Sequence, residues 1–86
     1  MPEISRFYGI IIRIYYRDHP PTHFHAIYGE HEALVQIENG TIYRGHLPKT
    51  AYDLVNSWRL AHLQELRTDW ERARQQLPLL PIAPLE

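Results

Sequence analysis

The sequence contains no cysteine, and this absence excludes a disulfide framework and a zinc site built on thiolates. No apolar run approaches the roughly 20 residues of a membrane-spanning helix. Charged residues at Glu3 and Arg6 interrupt the N-terminus too early for a secretory signal. These absences predict a cytoplasmic protein with no membrane segment.

Neither sign of charge dominates the chain. Nine lysines and arginines stand against ten acidic residues, for a formal net charge of −1 with neutral histidines. This balance argues against a surface adapted as a whole to nucleic acid, although a local basic patch keeps RNA as a candidate substrate. The 86 residues predict one domain, 1–86, whose small core makes a homodimer or a partner protein an expected source of further stability.

Histidine, by contrast, is concentrated in one place. The octet HPPTHFHA at residues 19–26 holds three of the six histidines and two of the seven prolines. Proline restricts the backbone, and histidine carries protons or binds metals near neutral pH. A stiff segment that presents several imidazoles is typical of a binding site. The candidate binding surface comprises His19, Pro20, Pro21, His23, Phe24 and His25.

Residues 1–46 have the pattern of a β-sheet. Apolar residues on both faces of 10–16 predict a central strand, and residues 5–8 extend it with a bend at Gly9. Gly29-Glu30 and Asn39-Gly40 are typical two-residue hairpin turns. Three further strands are predicted at Phe24–Tyr28, Glu32–Glu38 and Thr41–His46. The expected sheet is a four-stranded antiparallel meander.

The hairpin turns also predict a register. The first turn places Phe24 opposite Val35, and the second places Ile37 opposite Ile42. One face of the sheet is then apolar and suited to the core, whereas His23 lies on the other face. The predicted core face consists of Phe24, Ala26, Ala33, Val35, Ile37 and Ile42.

Residues 47–77 have a helical period, with apolar residues three or four apart from Ala51 to Leu77. One unbroken helix would be about 42 Å long, against a radius of gyration of about 12 Å for such a domain. We therefore expect one projecting helix or two shorter ones, broken near Thr68, where a capping-box pattern begins. Residues 78–86 repeat proline and predict an extended tail that wraps the domain or docks on a partner. The whole chain is predicted as α+β.

A metal centre is one interpretation of the octet. His23 and His25 share a face of their strand, so they supply two ligands. A third ligand is required, and His19, His46 and His62 are the candidates, of which His62 on the helical stripe gives the trio His23, His25 and His62. The predicted register argues against this trio. The helix that carries His62 is expected to cover the Phe24 face of the sheet, whereas His25 lies on the opposite face. The alternative is that His23 and His25 are surface residues or hydrogen-bonded structural residues. A divalent metal such as zinc is therefore a candidate cofactor that the sequence does not require.

Metal-free cleavage of RNA is a second interpretation. His23 and His25 are candidate catalytic residues as general acid and base, with Arg13 as the clamp for a phosphate. Arg17 is a second candidate clamp. The alternative is that these arginines are solvated charges at strand ends.

The octet is part of a wider resemblance. Together with Pro2–Phe7, Leu47-Pro48 and Trp58 followed by His62, it resembles a family of small bacterial proteins known as domain of unknown function number 4160. Thr22 stands where that family usually has a third proline. The resemblance implies a small cognate protein encoded nearby, in a pair that looks like a toxin–antitoxin module. The leading expectation is therefore protein–protein binding within such a pair, and the alternative is a histidine-based ribonuclease or metal-dependent hydrolase centred on 19–25.

Overall fold

A computed structural model describes residues 3–16 and 18–85, which form an antiparallel sheet and two helices. The strands lie in the sheet in chain order, so the predicted α+β meander is confirmed in its class, but it has five strands rather than four. The elements are β1 (Glu3–Phe7), β2 (Ile10–Arg13), β3 (His23–Tyr28), β4 (His31–Gln36), β5 (Ile42–Gly45), α1 (Lys49–Ala61) and α2 (Leu63–Arg74).

The additional strand lies before Gly9. We predicted residues 5–8 as an extension of the following strand, and this was wrong. Tyr8 and Gly9 both have positive φ, 49° and 79°, and reverse the chain so that Phe7 pairs with Ile10. Two successive positive φ angles are typical of a tight hairpin turn, so the glycine closes a hairpin instead of bending one strand.

The predicted register is right for one hairpin and wrong for the other. Phe24 lies opposite Val35, as the Gly29-Glu30 turn predicted. In the second hairpin, however, Val35 and not Ile37 lies opposite Ile42. The carbonyl of Gln36 accepts a hydrogen bond from the Gly40 amide at 2.9 Å, so the turn spans 37–40 and is longer than two residues.

The core lies on the predicted apolar face of the sheet, and α1 covers it. Phe24 and Val35 are fully buried, whereas Ile42 is only partly buried against the core. The ring of Trp58 lies 5.8 Å from that of Phe24 and 5.4 Å from that of Phe7. Burial of such large apolar side chains contributes roughly 1.5–3 kcal/mol each to folding.

The helical half divides at His62 rather than near Thr68. The backbone of His62 has φ −128° and ψ 29° and separates the two helices. Thr68 lies inside α2, and its hydroxyl donates to the carbonyl of Gln64 at 3.1 Å. A hydroxyl that bonds back to the preceding turn does not cap a new helix, so the capping-box prediction failed at this point.

Residues 77–85 form neither helix nor strand and lie against the domain. The Ile82 amide donates to the carbonyl of Ile4 at 2.8 Å, and the Trp58 indole donates to the carbonyl of Ala83 at 2.9 Å. Within 3–16 and 18–85, neither helix has the length and apolar character needed to cross a membrane.

Candidate metal centre

Three side chains with metal-ligating atoms meet where the loop after β2 folds back over the start of β3. The Oδ2 atom of Asp18 lies 2.9 Å from Nε2 of His23 and 3.0 Å from Nε2 of His25. One ligand atom from each side chain lies within 4.8 Å of the other two. The two histidines share this side of the sheet because they are two residues apart on one strand.

The other nitrogen of each imidazole is already held. His23 donates through Nδ1 to the Pro21 carbonyl at 2.7 Å, and Nδ1 of His25 lies 3.0 Å from Oε2 of Glu32. A carbonyl oxygen only accepts, so Nδ1 of His23 carries the proton. Histidines that bind metals commonly donate one ring nitrogen to a carbonyl or carboxylate in this way, which fixes the ring and leaves the other nitrogen for the ion.

The centre of the cluster therefore requires positive charge. Burial raises the pKa of Asp18, but hydrogen bonds from His25 and the His19 amide, with the charge of a protonated His23, bring that pKa below its ordinary value. An ionised Asp18 only accepts, and so does Nε2 of a neutral histidine that is protonated on Nδ1. Two such acceptors at 2.9 Å repel each other unless protons or a metal cation lie between them.

The distances suit a metal cation. Metal–nitrogen and metal–oxygen bonds of about 2.1 Å place neighbouring ligands about 3.0 Å apart at right angles and about 3.4 Å apart in a tetrahedron. The two distances of 2.9 and 3.0 Å from Asp18 to the imidazoles match the right-angled spacing and are also ordinary lengths for hydrogen bonds, so tetrahedral zinc would require the ligand atoms to move apart by about 0.4 Å. Two histidines and one carboxylate are a ligand set used by zinc and by non-haem iron.

Aromatic rings hold the imidazoles from the sides. His23 is 1% exposed, and its ring lies 5.2 Å from Trp70 and 5.4 Å from Tyr43. The ring of Tyr15 meets His25 edge-on at 4.4 Å. The side chain of Asp18 is 20% exposed, which makes the carboxylate the more open side of the cluster.

His62, the third ligand in the predicted trio, lies elsewhere. Its Nδ1 atom is 2.6 Å from Oε1 of Glu65, and its ring lies 5.7 Å from Trp58. In the part of the chain that the structure describes, the grouping of ligand atoms contains Asp18 and not His62. Asp18 was missed, although it directly precedes the octet and a carboxylate there is a natural third ligand.

The remaining predicted site residues divide between this surface and the core. Arg13 lies opposite His25 in the β2–β3 ladder, and its Nε atom is buried with no hydrogen-bond partner among the residues that the structure describes. His19 and the Pro20-Pro21 pair are exposed, as a binding surface requires. Phe24 is fully buried, so it belongs to the core rather than to that surface. Arg17, the second candidate clamp, lies outside the described residues.

Comparison with known proteins identifies a family. A family model described as Domain of unknown function (DUF4160) matches residues 9–71, which is more than half of the chain and includes the three clustered side chains. Neither the curated proteins nor the solved structures contain a match to this sequence.

Proposed function

We propose that this chain, which belongs to that family of domains of unknown function, binds a divalent metal ion such as zinc. The ligands are Oδ2 of Asp18 and the Nε2 atoms of His23 and His25. The observation that carries the proposal is the convergence of these three atoms while both Nδ1 atoms face the acceptors Pro21 and Glu32. Such a set is oriented in advance for an ion.

Three protein ligands leave coordination positions open, which is the arrangement of catalytic rather than structural zinc sites. A zinc ion held there would supply a bound water of lowered pKa and would polarise an ester or amide, so hydrolysis is the reaction class that we propose. Arg13 serves this reaction as the neighbouring cation, because it shares the sheet face with His25.

Zinc binding by purified protein tests the proposal directly. We expect one zinc per wild-type chain by calorimetry and elemental analysis. Asp18→Asn keeps the shape of the side chain and removes the charged ligand, so we expect at least about tenfold weaker binding. His62→Gln is the matched control and leaves zinc affinity unchanged, because His62 contacts Glu65 instead.

Two outcomes would count against this proposal. A folded wild-type chain that takes up no stoichiometric zinc excludes the site. Equal affinity in wild type and Asp18→Asn excludes this ligand set. A metal-free ribonuclease built on His23, His25 and Arg13 is the competing chemistry, and its cleavage of RNA would persist in a chelator.

Partner binding in a toxin–antitoxin-like pair is the second candidate function. It is supported by two exposed tyrosines at one end of the sheet: Tyr8 is 60% and Tyr28 is 39% exposed. Both lie beside Gly9, because Tyr8 precedes Gly9 in the chain and Tyr28 pairs with Ile10, the residue after Gly9. Tyrosine is enriched in the energetically important parts of protein interfaces.

The small protein encoded beside this chain is the partner to test. We expect it to co-purify with the wild-type chain and to bind Tyr8→Ser at least about tenfold more weakly. A Tyr16→Ser control changes an exposed tyrosine outside this pair. Growth arrest by the chain alone, relieved by Asp18→Asn, would identify it as the toxic member with an active cluster; no arrest would favour the antitoxin role.

A further inference from the structure

A cavity of about 410 Å³ opens beside the metal cluster, between the 18–22 loop and the last turn of α2. Asp18 lines it and also belongs to the cluster. Its other lining residues are Pro20, Thr22, Trp70 and Arg74. We infer that the metal-loaded protein binds a phosphate ester in this cavity, with the phosphate between the metal and Arg74. The inference rests on the proposed metal site and names the substrate class for it.

The charges favour an anion only when the metal is present. Without metal, the carboxylate of Asp18 offsets the guanidinium of Arg74 within the lining. A divalent cation held by neutral histidines and one carboxylate leaves one net positive charge at the centre, and Arg74 adds a second. Glu32 bonds His25 at Nδ1 and lies outside the cavity lining. The carboxylates of Glu71, the ion-pair partner of Arg74, and of Glu32 offset part of this charge. Loading with a divalent cation still makes the site more positive, so an anionic phosphate is favoured by the loaded site over the metal-free one.

Arg74 has donors to spare for such a ligand. Within residues 3–16 and 18–85, its one hydrogen bond runs from a terminal nitrogen to Oε2 of Glu71 at 3.3 Å, and both side chains are more than half exposed. Exposed pairs of this kind are weak. A guanidinium has five N–H donors in a planar fork that matches two phosphate oxygens, so Arg74 is able to clamp the phosphate from the side opposite the metal.

The size and walls of the cavity point to an ester rather than to free phosphate. Small-molecule sites typically measure about 300–1,000 Å³, and a cavity of about 410 Å³ is near the lower end of that range. Pro20 and Trp70 supply apolar wall, and the Trp70 ring also lies 5.2 Å from His23. This leaves room for an organic group of sugar or nucleoside size beside the phosphate.

Binding of two probes to zinc-loaded protein tests the inference: inorganic phosphate and adenosine 5′-monophosphate. Excess zinc is removed by gel filtration, and affinities are measured by calorimetry. We expect both probes to bind the zinc-loaded wild type, the ester more tightly, and both to bind the chelated wild type at least about tenfold more weakly. Arg74→Gln should lose about tenfold in affinity for both probes while its zinc stoichiometry stays at the wild-type value.

Arg67→Gln is the matched control on the same helix. Arg67 pairs with Glu38 and does not line the cavity, so we expect its phosphate affinity to stay within about twofold of wild type. If the wild type binds zinc but neither probe, or if Arg74→Gln binds as wild type does, the inference fails and the metal site stands. If the wild type binds no zinc, both proposals fail.

Discussion

Asp69 accepts a hydrogen bond from the amide of Leu80 through Oδ1 at 2.9 Å, while its Oδ2 atom is buried and has no hydrogen-bond partner in the described part of the chain. The residue is 1% exposed. The pKa of Asp69 lies above its ordinary value, because burial raises this pKa by more than the Leu80 amide and the charge of Arg72 lower it. One carboxylate thus fastens the C-terminal segment to α2 and at the same time carries a charge that the interior disfavours.

We therefore expect Asp69→Asn to stabilise the protein at neutral pH. The amide keeps an oxygen for Leu80 and removes the buried charge, although its NH2 group then occupies the place of the unpartnered Oδ2 and offsets part of the gain. The net stabilisation is at most on the order of 1 kcal/mol, or about 4–8 °C in Tm for a domain of this size. The raised pKa means that the folded state binds this proton more tightly than the unfolded state. The destabilisation by Asp69 is therefore present above the folded pKa and is relieved as the pH falls through that value toward 3.8.

Thermal melts of wild type and Asp69→Asn from neutral pH to about pH 4 check this expectation. The difference between the two Tm values should shrink as the pH falls, because the wild type becomes protonated at Asp69. A variant that is less stable than wild type at neutral pH would show that the carboxylate stabilises the fold.

Two glycines with positive φ provide a matched pair of substitutions. Gly40 (φ 76°) and Gly29 (φ 59°) both occupy the left-handed region, where a side chain costs roughly 1–2 kcal/mol. A Cβ at Gly29 meets no atom within 4 Å, whereas one at Gly40 would lie 2.7 Å from the Asn56 side chain and 2.8 Å from that of Arg59. The turn at Gly40 therefore has a steric requirement that Gly29 lacks.

We expect Gly29→Ala to cost roughly 1–2 kcal/mol and Gly40→Ala roughly 1 kcal/mol more, because Arg59 must move. Arg59 is buried, and its guanidinium donates to the carbonyl of Ile37 at 2.9 Å, so it is not free to shift without loss. Denaturant unfolding of both variants measures the difference. Equal losses would mean that Arg59 and Asn56 adjust freely.

Metal binding predicts a change in thermal stability. At a free zinc concentration about 100 times Kd, a ligand that binds only the folded state adds about 2.7 kcal/mol. Wild-type Tm should then rise by roughly 10–20 °C and return when a chelator is added. Asp18→Asn, which binds at least about tenfold more weakly, should gain at most about 1.4 kcal/mol at the same zinc concentration, or about half of the wild-type rise in Tm. A rise equal to that of wild type would contradict the assignment of Asp18 as a ligand.

The indole of Trp58 is expected to stabilise the C-terminal segment. Trp58→Phe removes the 2.9 Å hydrogen bond to the Ala83 carbonyl and part of a fully buried ring. We expect a loss of roughly 2–4 kcal/mol, with faster proteolytic cleavage within residues 79–85 as the segment is released. Tyr52→Phe, which removes a hydrogen bond to the Gly40 carbonyl instead, should lose stability without exposing that segment.

Local signals account for what the sequence predicted well. The Gly29-Glu30 turn set the pairing of Phe24 with Val35, because a two-residue hairpin leaves one register. Alternation then placed His23 on the face opposite Phe24. The first strand, which was not predicted as a separate strand, had no such signal. The hairpin turn after it requires a positive φ at Tyr8, and a positive φ is uncommon for tyrosine.

The candidate site was only half predictable for a physical reason. His23 and His25 follow from strand periodicity, which is local. The third ligand depends on how the loop before Pro20 folds back, and no periodicity describes a loop. The helical stripe suggested His62 instead, but the backbone of His62 separates the two helices and its side chain bonds Glu65.

The bond between Ile82 and Ile4 has a consequence for the order in which the chain is made. β1 lies at the edge of the sheet, and an open strand edge invites pairing with other chains. The segment that covers Ile4 is synthesised after every strand and both helices. The β1 edge of the nascent sheet therefore lacks this cover until Ile82 has left the ribosome, and a chain truncated before this segment should aggregate more readily than the full chain.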